Sequence, residues 1–160
     1  MENFDFIEDK IPDGLSVIEA SAGTGKTFSI SHLVARMVLD GSVQGIRDIL
    51  LVTFTNDAAG ELAERTRRVL TELDAPPASD EATKSPGVHR LRNDPRLAYN
   101  TNKNRIHKAL QEIDLLSVST IHSVCQAVLK SEGALCGVPS LPELIPDADD
   151  LVVEALHDEW

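Results

Sequence analysis

Eight consecutive residues, Ala20-Ser21-Ala22-Gly23-Thr24-Gly25-Lys26-Thr27, have the types and spacing needed to hold a polyphosphate. Gly23 and Gly25 permit backbone torsions and close approaches that a side chain would block. Successive amides of such a loop curl around phosphate oxygens, and the helix that follows adds the partial positive charge of its N-terminus. Lys26 is then the cation for the β- and γ-phosphates, and the Thr27 hydroxyl a ligand for Mg²⁺. A strict phosphate-loop pattern starts on glycine, whereas this one starts on Ala20, which is tolerable where φ is negative.

Two further segments carry candidate groups. Val52-Thr53-Phe54-Thr55-Asn56 ends an apolar run in front of a helical pattern, the place where parallel α/β sheets present ligand groups. There Phe54 can stack on a base and Thr55 can donate to a phosphate. Taken alone, the same residues read as a core phenylalanine and a helix cap. Ser119-Thr120-Ile121-His122-Ser123 repeats the situation at another strand end. His122 can donate to a phosphate oxygen, and in isolation it reads equally as an ordinary loop histidine.

The elements that must position these groups are legible from periodicity. Leu15 to Ala20 is a short apolar run that predicts a strand leading into the glycine loop. Ile30, Leu33, Val34, Met37 and Val38 then predict one face of a helix ending near Gly41. Ile49 to Phe54 predicts a buried parallel strand. Ala59, Leu62, Thr66, Val69, Leu70 and Leu73 form the stripe of a second helix capped by Thr55 or Asn56. Proline, glycine, serine and asparagine between 75 and 104 predict loose chain. Arg105 to Ile113 is predicted helical, Leu115 to Thr120 a third strand, and Val124, Cys125, Val128 and Leu129 the face of another helix. Strands alternating with helices predict an α/β domain with a parallel sheet.

Composition bounds the class. Of the 160 residues 42% are hydrophobic and 26% charged, as in ordinary globular domains. The net charge of -11 is concentrated at the two ends: residues 1–13 sum to -4 and 143–160 to -7, so the middle is neutral. Within it, residues 84–108 hold seven Lys/Arg against Asp94 alone, which reads as a solvated face or as a DNA path. Cys125 and Cys136 have no metal-ligand spacing and read as buried, reduced thiols of a cytoplasmic protein. No basic-apolar leader and no apolar stretch of membrane-span length is present in the sequence.

Together the three segments resemble motifs I, Ia and Ib of superfamily 1A DNA helicases of the UvrD/Rep type. The pieces that carry the likeness are Ile18 to Phe28, Val52-Thr53-Phe54-Thr55, and Thr120-Ile121-His122 with Cys125-Gln126. They stand nearest the RecB-like branch. Asn56 is closer to the UvrD pattern, and Ser123 and Val124 stand where RecB-like chains have Gly and Phe.

The resemblance implies a P-loop NTPase lobe of RecA-like fold, a parallel sheet flanked by helices, working with ATP and Mg²⁺. Ala20 to Phe28 would bind the nucleotide, with Lys26 and Thr27 in the catalytic roles. Phe54, Thr55, Asn56, Thr120 and His122 would touch single-stranded or duplex DNA during 3′ to 5′ translocation in repair and recombination. RecC- and RecD-like subunits are the implied partners, and no membrane is.

The family's Walker B acids, its glutamine motif and the arginines of a second lobe have no counterpart here. The adjacent acidic pairs Glu8-Asp9, Asp80-Glu81, Asp149-Asp150 and Asp158-Glu159 follow no apolar strand. The expectation is therefore an incomplete lobe over 1–140, with a loose insert at about 75–104. A linker and the start of a helical subdomain over 141–160 would follow, and the chain alone would be inactive. Two other readings stay open: a different P-loop enzyme such as a nucleotide kinase, and a non-catalytic nucleotide-binding remnant.

Overall fold

A computed structural model describes residues 4–9, 14–21, 23, 25–76 and 85–132. Five α-helices and two strands are found among them: α1 (Lys26–Asp40), β1 (Leu50–Thr53), α2 (Asn56–Asp74), α3 (Pro86–Asn93), α4 (Tyr99–Gln111), β2 (Ser117–Thr120) and α5 (Ile121–Glu132). The chain divides into two compact units, Met1–Ile121 and His122–Trp160. Cys136 and the linker and helix expected over 141–160 lie outside the described residues, as do Ala22 and Thr24.

In the first unit the sheet is parallel, with Leu50 opposite Ser117 and Thr53 opposite Thr120. Burial alternates along β1 with the period of two that a pleat imposes. Leu51 packs on the core and Val118 looks toward Gly60 and Ala63 of α2, whereas Leu50 and Val52 are 51% and 44% exposed on the other face. The expectation of a strand buried on both faces therefore holds for one face only among the described residues.

Leu15 to Ala20 belongs to no ladder, and Leu15 and Val17 are 93% and 81% exposed. The predicted strand is thus corrected. An apolar run becomes a strand only when a neighbouring backbone takes up its N–H and C=O groups, and here β1 and β2 pair with each other.

The core lies between the helices. Val34, Ala35, Val38 and Leu39 of α1 meet Val69, Leu70 and Leu73 of α2, Val88 and Leu91 of α3, and Ile106 and Ala109 of α4. All six residues predicted for the α2 stripe are buried. On α1 the buried positions are Ser31, His32, Val34, Ala35, Val38 and Leu39, so the predicted face is rotated. Ile30 and Leu33 instead line an open cavity.

Residues 85–104, expected to be loose, carry α3 and the start of α4. Ser85 and Pro86 mark an N-cap and first helical position rather than a break, and the Ser85 hydroxyl accepts from the Val88 amide. Burial of Val88, Leu91 and Leu97 holds this segment down.

At the start of α2 the Thr55 hydroxyl accepts from the Ala58 amide at 3.2 Å. Thr55→Ala is expected to lower unfolding free energy by about 1 kcal/mol, and Thr55→Ser by much less. Urea melts of the two variants decide this; equal midpoints would remove the cap from the account.

α5 has no buried residue among those described, and Cys125 on it is exposed. The expectation of a buried thiol there is corrected: an amphipathic helix buries its stripe only where a neighbour covers it.

Candidate functional site

The phosphate loop begins on the extended segment and ends at Gly25, which is the N-cap of α1. Gly23 and Gly25 have φ of 77° and 84°. Both lie in the left-handed region, where any Cβ would be strained. The first turn of α1 carries no acid and no side-chain cap, so its N–H groups and partial positive charge remain available to an anion.

Lys26 is the first residue of that helix. Its Nζ donates to the Ala20 and Ser21 carbonyls at 3.0 and 3.1 Å. The ammonium thus sits over the loop it closes, on an exposed side chain free to turn toward phosphate oxygens. Thr27 and Phe28 are half-buried in the same turn.

Beside the loop opens a cavity of about 690 Å³ lined by Phe4, Ile18, Glu19, Lys26, Ile30 and Leu33, among others. Its lining mixes the apolar side chains of Phe4, Ile18, Ile30 and Leu33 with Glu19, Ser29 and the loop residues Ala20, Ser21 and Lys26. Phe4 was not foreseen as part of it. Nothing in its sequence neighbourhood marks it, because it reaches the loop only by folding of the N-terminal segment.

The second and third segments come together through the sheet. Parallel register places Thr53 opposite Thr120 at the C-terminal ends of adjacent strands. Thr53 Oγ1 donates to the Thr55 carbonyl at 2.9 Å, which shapes the turn. Phe54 on that turn is 77% exposed, so it is an aromatic held in solvent and not a core residue. Asn56 is exposed, whereas Thr120 is buried. His122 stands exposed in the first turn of α5, in the second unit.

Three arginines of the basic stretch 84–108 are engaged by groups of the chain itself. Arg90 pairs with Asp5 at 2.7 Å and lies over the Phe6 ring. Arg96 grips both Glu8 and Asp94. Arg92 donates to the Glu72, Leu73 and Ala75 carbonyls at the end of α2. Burial would raise the Asp5 carboxyl, but the Ile7 amide and the Arg90 guanidinium outweigh it and hold the group below its usual range. These arginines bind the acidic N-terminal segment and a helix end to the core.

The UvrD/REP helicase N-terminal domain family matches residues 8–157. The chain is 35% identical over 148 residues to the RecBCD enzyme subunit RecB of Mycolicibacterium smegmatis, covering 92% of this chain and 13% of that protein. It is 33% identical over 168 residues to the same subunit of Mycobacterium tuberculosis (strain CDC 1551 / Oshkosh), covering 100% of this chain and 15% of that protein. Against the Escherichia coli (strain K12) subunit the identity is 34% over 158 residues, 92% of this chain and 13% of that one. The chain therefore spans about an eighth to a seventh of the length of these relatives. Among the described residues, no helix is long and apolar enough to cross a membrane.

Proposed function

Because the chain belongs to the UvrD/REP helicase N-terminal domain family, we propose that it supplies the ATP-binding part of an ATP-dependent DNA helicase of repair and recombination. The observation that carries this reading is the loop: two glycines at positive φ, a helix N-terminus without acid, and Lys26 over the loop carbonyls. A Cβ at Gly23 would meet no atom within 4 Å. What calls for glycine there is thus the positive φ and not crowding, and the loop's residue types are those that hold a polyphosphate.

In this reading the loop amides and Lys26 hold the phosphates. Thr27 offers its hydroxyl to Mg²⁺, which when bound neutralises charge on the transferring phosphoryl group. Ala20 to Phe28 form the nucleotide site, and the two-stranded sheet belongs to a RecA-like lobe. Phe54, Thr55, Asn56 and His122, all exposed, contact DNA, and Thr120, buried at the end of β2, does not reach it. ATP hydrolysis would drive 3′ to 5′ movement on single-stranded DNA, with RecC- and RecD-like subunits as partners in the cytoplasm. The exposed Phe54 supports a DNA role, since an aromatic ring in solvent beside a helix N-terminus is a ready stacking platform.

The test is binding of labelled single-stranded DNA. Phe54→Ala is expected to weaken it by roughly 5- to 100-fold, the worth of one stacked base, and His122→Ala by less, with nucleotide binding unchanged in both. Competition by free nucleosides instead of DNA would point to a small-molecule kinase, and DNA affinities equal to wild type would remove both residues from the interface.

A further inference from the structure

His32 lies on the inner face of α1 and is 2% exposed. Its ring is held on every side. Nδ1 is 2.7 Å from the Phe28 carbonyl, and Nε2 is 3.3 Å from the Ser85 hydroxyl. A carbonyl can only accept, so Nδ1 carries the proton and Nε2 accepts from Ser85. The ring packs 4.0 Å from the Phe28 ring and 5.1 Å from that of Phe6, centroid to centroid. Across from them is Gly87, where a Cβ would stand 2.2 Å from Nε2 and 2.9 Å from the edge of Phe28. Only glycine at 87 admits this ring.

The partners on the two sides matter. Phe28 is two residues beyond Lys26 and belongs to the turn that carries the phosphate-loop lysine and threonine. Ser85 is the N-cap of α3, and its amide donates to Glu72 of α2 at 3.4 Å. One imidazole thus connects the first turn of α1 to the cap of α3.

We infer that His32 is a positioning residue for nucleotide binding, fixing the turn that bears Lys26 and Thr27 through the Phe28 carbonyl on one side and the Ser85 hydroxyl on the other. The inference rests on the phosphate-loop reading above. It also makes the site sensitive to acid. Burial is the main influence on the ring and disfavours its charged form. The Phe28 carbonyl and Glu72 oppose that, Arg65 adds to it, and the net pKa lies below the usual histidine value. The α3 groups against the ring, Ser85 and Gly87, are uncharged. A depressed pKa means that the stabilisation is present in full above the unfolded value of about 6.5 and is lost progressively as pH falls toward the folded one.

Binding of a fluorescent ATP analogue with Mg²⁺ to the full chain tests this, at a temperature where circular dichroism shows each variant folded. His32→Gln and Ser85→Ala are expected to weaken binding about fivefold, the effect of losing one buried hydrogen bond, and Ser85→Thr to restore it. As pH falls through the unfolded histidine value of about 6.5, the wild type should lose melting temperature more steeply than His32→Gln, because the unfolded chain takes up the proton first. A purely structural role would lower the melting temperature and leave the affinity of the folded protein alone. If His32→Gln does not fold, Ser85→Ala decides. Folded variants that bind as wild type while Lys26→Ala loses binding would overturn the positioning role alone. Unchanged binding in Lys26→Ala would sink the phosphate-loop reading and this inference with it.

Discussion

Lys26→Ala is expected to weaken binding of Mg²⁺-ATP by roughly 10- to 100-fold, the loss of a charged hydrogen-bonding partner worth about 1.5–3 kcal/mol. The reason is local. In the structure the ammonium rests on two neutral carbonyls of its own loop, Ala20 and Ser21. Phosphate oxygens are better acceptors for it, so the side chain exchanges partners when the anion arrives. Without it the loop amides and the helix N-terminus still attract phosphate, which is why binding should fall and not vanish. In any preparation that turns ATP over, the loss in rate should be larger, roughly a hundredfold or more, because charge on the transferred group grows toward the transition state. Isothermal titration and a phosphate-release assay read the two effects separately. Wild-type affinity and turnover in the variant would place the glycine loop among ordinary strand-to-helix turns.

The second large effect concerns Arg92→Ala, which should lower the unfolding free energy by about 3 kcal/mol. Helix α2 ends at Asp74 with its last carbonyls unpaired within the helix. The Arg92 guanidinium reaches across from α3 and takes the carbonyls of Glu72, Leu73 and Ala75. It also lies over the Tyr99 ring, whose own hydroxyl donates to the Leu73 carbonyl. A cation at a helix C-terminus is favoured by the dipole as well. Arg92→Lys should recover only part of the loss: the three carbonyls are all served by one nitrogen, Nη2, which an ammonium can imitate, but the guanidinium's stacking on the Tyr99 ring is lost. Lys103→Ala, on an exposed position of α4, is the control and should change stability by less than about 0.5 kcal/mol. Chemical denaturation of the three variants decides. Equal midpoints for Arg92→Ala and Lys103→Ala would return the whole basic stretch to a solvated surface or to DNA.

What the sequence determined by itself about this protein is what short-range chemistry dictates. Gly23 and Gly25 were free to adopt the positive φ they have, at no steric cost, because neither carries a Cβ. Thr55 caps α2, and the helix buries all six residues of its stripe, because a period of 3.6 on a single amphipathic element needs no knowledge of its partner. That Ile49 to Phe54 contains a strand was equally legible, but not that Leu50 and Val52 stand exposed on one of its faces.

Tertiary structure decided the rest. Whether Leu15 to Ala20 is a strand depends on a second backbone to pair with, which no run of apolar residues can declare. The inner face of α1 includes Ser31 and His32 because Phe28 one turn back accepts from them and Ser85 and Gly87, distant in the chain, enclose the ring. Ser85-Pro86 and Asn93-Asp94-Pro95 resembled breaks because the residues that end helices also begin them; burial of Val88, Leu91 and Leu97 chose between the two. The arginines of 84–108 read as a charged surface, yet their partners Asp5, Glu8 and the end of α2 lie up to 88 residues away. Phe54 looked like core by composition and stands in solvent because the turn after β1 carries it past the strand end. In each case the deciding quantity was which groups met across the fold, and that is set by packing, not by the order of residues along a segment.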